Sequence, residues 1–170
     1  LEETRKTFSM SMIINGMLAI LILILGETIG LWFLLHKMNI PADRMHAAQW
    51  VYQFSVFASI TSILQIPYTA SIIANEKMKI YAYLSIVEAI LKLGVAYILL
   101  ISTYDLLVTY SFLILVAQLL IFFSYYRISK YNFAECNFSV IWDKQLFKKM
   151  LAYSGWNTMS GVANVLSKEG

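Results

Sequence analysis

The chain has 170 residues, 59% of them hydrophobic and only 14% charged, with a mean hydropathy of +0.67. A soluble domain is about a quarter charged, so this composition excludes an ordinary water-soluble globule. The net charge of +3 is scattered over short loops, which excludes a basic nucleic-acid-binding face; the single cysteine, Cys136, excludes an intrachain disulfide and a cysteine-based metal cluster.

The apolar runs are far longer than the roughly ten-residue alternating segments of a membrane β-barrel. They predict an all-α fold: a polytopic transmembrane helix bundle with four complete spans and the start of a fifth. About 20 apolar residues carry a helix across a bilayer.

The first span is expected over residues 8–35. It contains Asn15, Glu27 and the small-residue spacing Gly26-x-x-x-Gly30. Small residues four apart let neighbouring helices approach closely in lipid. Glu27 lies toward the end of the span, where it reads either as an interfacial carboxylate or as a cavity-lining acid. A connector follows, with Pro41 and Asp43 suited to a first helical turn. His36 and His46 flank it without a third ligand type, so ordinary interfacial histidines are expected there.

The second span, residues 47–74, is the most polar, with Gln53, Ser55, Ser59, Thr61, Ser62 and Gln65. Hydroxyls can bond their own helix, but a primary amide in hydrocarbon needs partners. Trp50 and Tyr52 sit where an aromatic belt is expected. Pro67 should bend the helix, because it lacks an N–H and crowds the preceding turn.

The third span, residues 80–101, carries Glu88 and Lys92 close to its middle. An ionisable group at bilayer depth costs roughly 2.5 kcal/mol or more, so it rarely faces lipid. The two residues are four apart with the acid first, the favourable order for a helical ion pair. Tyr81, Ser85, Glu88 and Lys92 share one face, which predicts a polar stripe turned to a bundle interior or a water-filled cavity. The fourth span, residues 106–126, is almost wholly apolar apart from Gln118, and reads as the most lipid-facing of the four. It ends in an expected interface anchor, Tyr125-Tyr126-Arg127.

Residues 136–151 mix Phe138, Ile141, Leu146, Phe147, Met150 and Leu151 with Asp143, Lys144, Lys148 and Lys149, an amphipathic pattern suited to the membrane interface. Residues 152–170 look like the beginning of a further span. On one side of the membrane lie Arg5, Lys6, Lys77, Lys79, Arg127, Lys130, Lys144, Lys148 and Lys149; on the other lie only Lys37 and Arg44. Nine cations against two place the first side in the cytoplasm.

Several runs carry a family likeness: Gly26-Glu-Thr-Ile-Gly-Leu-Trp-Phe, Ile40-Pro-Ala-Asp-Arg, Ile66-Pro-Tyr-Thr-Ala-Ser-Ile-Ile-Ala-Asn-Glu-Lys-Met and Ser85-Ile-Val-Glu-Ala-Ile-Leu-Lys-Leu. Together they resemble polysaccharide-biosynthesis membrane proteins, the lipid-linked oligosaccharide (O-antigen) flippases of the multidrug/oligosaccharidyl-lipid/polysaccharide exporter superfamily. The resemblance implies a MATE-like fold of two six-helix halves around a central cavity. Residues 1–135 would then belong to the first half, residues 136–151 to a cytoplasmic linker, and residues 152–170 to the start of the second half, with the remainder of the polypeptide missing. It also implies a bacterial inner-membrane location and a diphosphate-linked polyprenyl oligosaccharide as substrate. On that template Lys92 would help with the anion, and Glu88 would hold Lys92 or take part in H+ or Na+ coupling. Asn15, Glu27, Gln53 and Gln65 are further candidates along the substrate path. No metal or other cofactor is expected. The alternatives are a cation-coupled multidrug exporter of the same superfamily, a membrane-embedded glycan-assembly enzyme, and a purely structural membrane subunit.

Overall fold

The structure, a computed structural model, describes residues 2–41, 43–102, 105–133, 136, 143–153 and 156. Among them, four helices are long and apolar enough to cross a membrane: α1 (Glu2–His36), α2 (Met45–Ala74), α3 (Met78–Ile101) and α4 (Leu106–Asn132). The described residues contain no strand, so the chain is an all-α bundle of multi-pass membrane character. The ends of α1 and α4 run beyond the expected spans, because the polar first turns of α1 and the Arg127–Asn132 end of α4 stay helical outside the apolar stretch.

Short connectors make sequential helices antiparallel. The α2–α3 turn closes α2 with a paired carbonyl cap: Lys77 N–H bonds Ile72 O at 3.1 Å and Glu76 N–H bonds Ile73 O at 3.0 Å. Such a cap needs a left-handed residue at its centre, usually glycine. Here Glu76 fills it, at φ 55°. At the other end of the molecule Asp105 begins α4, its Oδ1 accepting from Leu107 N–H at 3.1 Å.

The helices are arranged side by side as α1–α2–α4–α3. The α2–α4 interface is the most extensive, α1 packs on α2, and α3 packs mainly on α4. This corrects the expectation that the fourth span is the most lipid-facing: α4 is central. Hydrophobicity does not separate a lipid-facing helix from a buried one inside a bilayer, since lipid tails are as apolar as leucine. The packing face is marked instead mostly by small and polar groups: on α4 the buried residues are Ser111, Ala117, Tyr125 and Ser129, with Ile121 among them. Tyr125, expected as an interface anchor, is only 2% exposed.

The tightest packing gathers at the end expected to be cytoplasmic. Phe8, Tyr68, Ile72, Leu84, Ile121, Tyr125, Phe133 and Cys136 form one buried cluster drawn from all four helices and the segment after α4. Tyr68 is its hub, meeting Phe8, Phe122 and Tyr126 edge-on at 5.5, 6.1 and 5.6 Å between centroids. α2 runs helically through Pro67, which is fully buried here. Cys136 is buried with its Sγ 3.1 Å from Ser71 Oγ.

The expected amphipathic linker is described from residue 143. Asp143 caps its helix, accepting from Gln145 N–H at 2.9 Å and Leu146 N–H at 3.1 Å. Leu146, Phe147 and Met150 are half-buried while Lys144, Lys148 and Lys149 are exposed; Leu151, expected among the apolar residues, is exposed with the lysines. Residues 137–142, and nearly all of the expected fifth span, lie outside the described residues.

Candidate functional site

α1 changes geometry over Gly26–Gly30, where the helix widens to a π turn. Turns of this kind are often found at functional positions. Leu31 N–H reaches back to Gly26 O, and the Tyr52 hydroxyl of α2 donates to that same carbonyl at 2.6 Å. The glycine spacing thus makes a slot for a tyrosine ring: a Cβ on Gly30 would lie 1.9 Å from Tyr52 Oη. Tyr52, expected in the aromatic belt, is turned inward for this contact, while Trp50 stays half exposed.

The π turn also aims Glu27 at α2. Gln53 Nε2 donates to Glu27 Oε2 at 3.1 Å, so the carboxylate and the amide satisfy each other across the α1–α2 interface. Beside Gln53 lies a recess of about 320 Å³ lined by Leu31, His46, Gln49 and Trp50. Further along α2, Gln65 meets the central helix: Gln118 Nε2 donates to Gln65 Oε1 at 3.0 Å. Asn15 is buried and turned back on α1, donating to Ser11 O at 2.9 Å. Each of these amides therefore has a protein hydrogen-bond partner, as the cost of an unpaired polar group in hydrocarbon requires.

On α3, Lys92 Nζ bonds Glu88 Oε1 at 2.6 Å, the intrahelical pair expected from the spacing. The Glu88 side chain is 29% exposed and that of Lys92 is 55% exposed. Ser85, one turn before, is half-buried beside Tyr125 of α4. The stripe therefore starts inside the α3–α4 interface at Ser85 and emerges at Lys92 onto a face that the four helices leave uncovered. Ile86, Ile90, Leu93 and Tyr97 point outward on the rest of α3.

No protein-family model, curated protein or solved structure matches this chain.

The candidate residues are not drawn into one constellation. Glu27 and Gln53 join α1 to α2, Gln65 joins α2 to α4, and Glu88 with Lys92 lies at the far edge of the row on α3. Two contributors escaped the sequence reading: Tyr52, which completes the π turn, and Tyr125, which is buried on α4 beside the start of the polar stripe. The signal for Tyr125 was present, since Ser111, Gln118 and Tyr125 recur every seven residues along one face of α4.

Proposed function

We propose that this chain is part of a transporter that flips lipid-linked oligosaccharides across the bacterial inner membrane by alternating access. The observation that carries the proposal is the Glu88–Lys92 pair, near the middle of α3 on an outward face with Lys92 more than half exposed. Charges at this depth rarely face hydrocarbon. The uncovered stripe therefore calls for a further protein surface or a hydrated path beside α3, which is what a cavity between two transporter halves provides. The remainder of the polypeptide would form the opposite wall.

In that setting Lys92 offers three N–H donors to a diphosphate, one of which is used by Glu88. Glu88 orients the lysine. Glu27 with Gln53, and Gln65 with Gln118, act differently: as interhelical links they hold α1, α2 and α4 in register behind the path. The family likeness of the Gly26–Phe33, Ile66–Met78 and Ser85–Leu93 runs supports the same assignment.

The test is translocation by the full-length protein in liposomes loaded with a polyprenyl-diphosphate oligosaccharide, read by a membrane-impermeant glycosidase acting on the far leaflet. Exposure of the glycan that depends on the protein and falls in the Lys92→Ala variant is the expected result. Cation-driven release of organic drugs without glycan exposure would replace the proposal with the multidrug-exporter alternative.

A further inference from the structure

At the end opposite the aromatic core, the helices part to leave a groove of about 880 Å³. Its wall is apolar, formed by Leu34, Met38, Ala47, Ala48, Val51 and Leu107 from the ends of α1, α2 and α4. At its mouth Arg44 Nη1 bonds Asp105 Oδ2 at 2.7 Å. Arg44 directly precedes α2 and Asp105 directly precedes α4, so both charges sit at helix ends, the depth of lipid headgroups.

We propose that this groove holds one phospholipid with a zwitterionic, primary-ammonium headgroup, of the phosphatidylethanolamine type. The acyl chain lies along the apolar wall, the phosphate meets Arg44, and the ammonium meets Asp105. The mouth offers one charge of each sign 2.7 Å apart. A purely anionic headgroup would gain from Arg44 but be repelled by Asp105 and by the neighbouring Asp43. A headgroup carrying phosphate and ammonium together is complementary to both. A choline headgroup matches the charge but has no N–H to donate to the carboxylate.

The protein groups can be shared at little cost. Their side chains are 59% and 36% exposed, and an exposed ion pair contributes about 1 kcal/mol or less to a fold. Arginine has five N–H donors, so binding a phosphate does not require it to leave Asp105. Asp105 Oδ1 stays on the α4 N-terminus while Oδ2 faces the mouth. The other nearby cation, Lys37, sits over the Trp32 ring, 5.9 Å from its centroid. The groove volume is within the usual range of small-molecule sites, roughly 300–1,000 Å³, and its wall suits a hydrocarbon chain.

The experiment is native mass spectrometry of the full-length protein, delipidated in detergent and titrated with phosphatidylethanolamine, phosphatidylcholine and phosphatidylglycerol of identical acyl chains. The expected result is one ethanolamine lipid retained roughly tenfold more tightly than the other two, the scale of one charge-assisted hydrogen bond. Asp105→Asn should abolish the ranking, whereas Arg44→Gln, which loses the contact to a phosphate that all three lipids carry, and Ala48→Phe should each weaken all three lipids alike. Equal retention of the three lipids, or preference for the glycerol lipid, overturns the proposal. So does a lipid-free protein that self-associates through this face, since a protein surface would then fill the groove. The wild-type ranking alone decides the matter if a variant fails to fold.

Discussion

The Tyr52 hydroxyl donates to the carbonyl of Gly26 at 2.6 Å, at the point where α1 opens into a π turn. Side-chain donors that enter a helix's own hydrogen-bond ladder stabilise such irregular turns. Here the donor also locks α1 to α2, and the slot it occupies exists only because residue 30 has no Cβ.

Gly30→Ala is therefore expected to destabilise the bundle by about 1–3 kcal/mol, the usual cost of overpacking a close contact. Its Cβ would meet Tyr52 Oη at 1.9 Å and Cζ at 3.0 Å. Gly26→Ala should be milder, since its nearest contacts are at 3.4 Å. Thermal unfolding in detergent checks the order. Tyr52→Phe removes the clashing oxygen, so the Gly30→Ala, Tyr52→Phe double variant should lose less than the two single effects added together. Strict additivity would mean that the two residues do not share the slot.

The Gln65–Gln118 bond is a direct side-chain link between the two most extensively packed helices. A double-mutant cycle with leucine at each position should give a coupling of about 0.6 kcal/mol, with about 1.7 kcal/mol as the upper end for interhelical bonds in membranes. Each single variant strands one amide, and the double variant strands none. The double variant should consequently be no less stable than the worse single one, measured by unfolding in mixed micelles.

Much of this arrangement was legible in the sequence, and the exceptions have a common physical cause. Hydropathy located the helices because the bilayer demands continuous apolar stretches, and the Glu88–Lys92 spacing announced its own ion pair. Hydropathy could not tell which helix is central. Span length and apolarity are set by lipid, whereas α4's place between α2 and α3 is set by Ser111, Ala117, Tyr125 and Ser129, a sparse pattern within a uniformly greasy helix. Nor does local spacing reveal partners far apart in the chain: Glu27 finds Gln53, Gln65 finds Gln118, and Arg44 finds Asp105 only through the helix order.

Glu76→Gly is a predicted stabilising change. Glu76 holds φ 55° at the centre of the α2 cap, a conformation costing an L side chain roughly 1–2 kcal/mol. Glycine relieves that strain, although its more flexible unfolded chain offsets part of the gain. A net increase of about 0.5–1 kcal/mol in unfolding free energy is expected, and Glu76→Ala should give none of it. Equal behaviour of the two variants would show that the left-handed backbone is not what limits this turn.

The Glu88–Lys92 pair separates a structural role from a transport role. Lys92→Ala leaves Glu88 without its 2.6 Å partner, and Glu88→Ala does the same to Lys92. An unpaired ionisable group near mid-membrane costs from roughly 2.5 kcal/mol where it meets hydrocarbon, so both single variants should lower stability if the uncovered face is greasy. The double replacement Glu88→Leu with Lys92→Met removes both charges at similar size and should recover most of that loss. If the stripe serves only to pin α3, glycan translocation recovers with it. On the proposed function it does not: the double variant folds and inserts at wild-type levels, yet flips lipid-linked oligosaccharide at least about tenfold more slowly, a loss equivalent to roughly 1.4 kcal/mol of transition-state stabilisation. Measuring insertion, unfolding and translocation on the same three variants distinguishes the outcomes, because a folding defect moves all three readouts whereas loss of the diphosphate contact moves translocation alone.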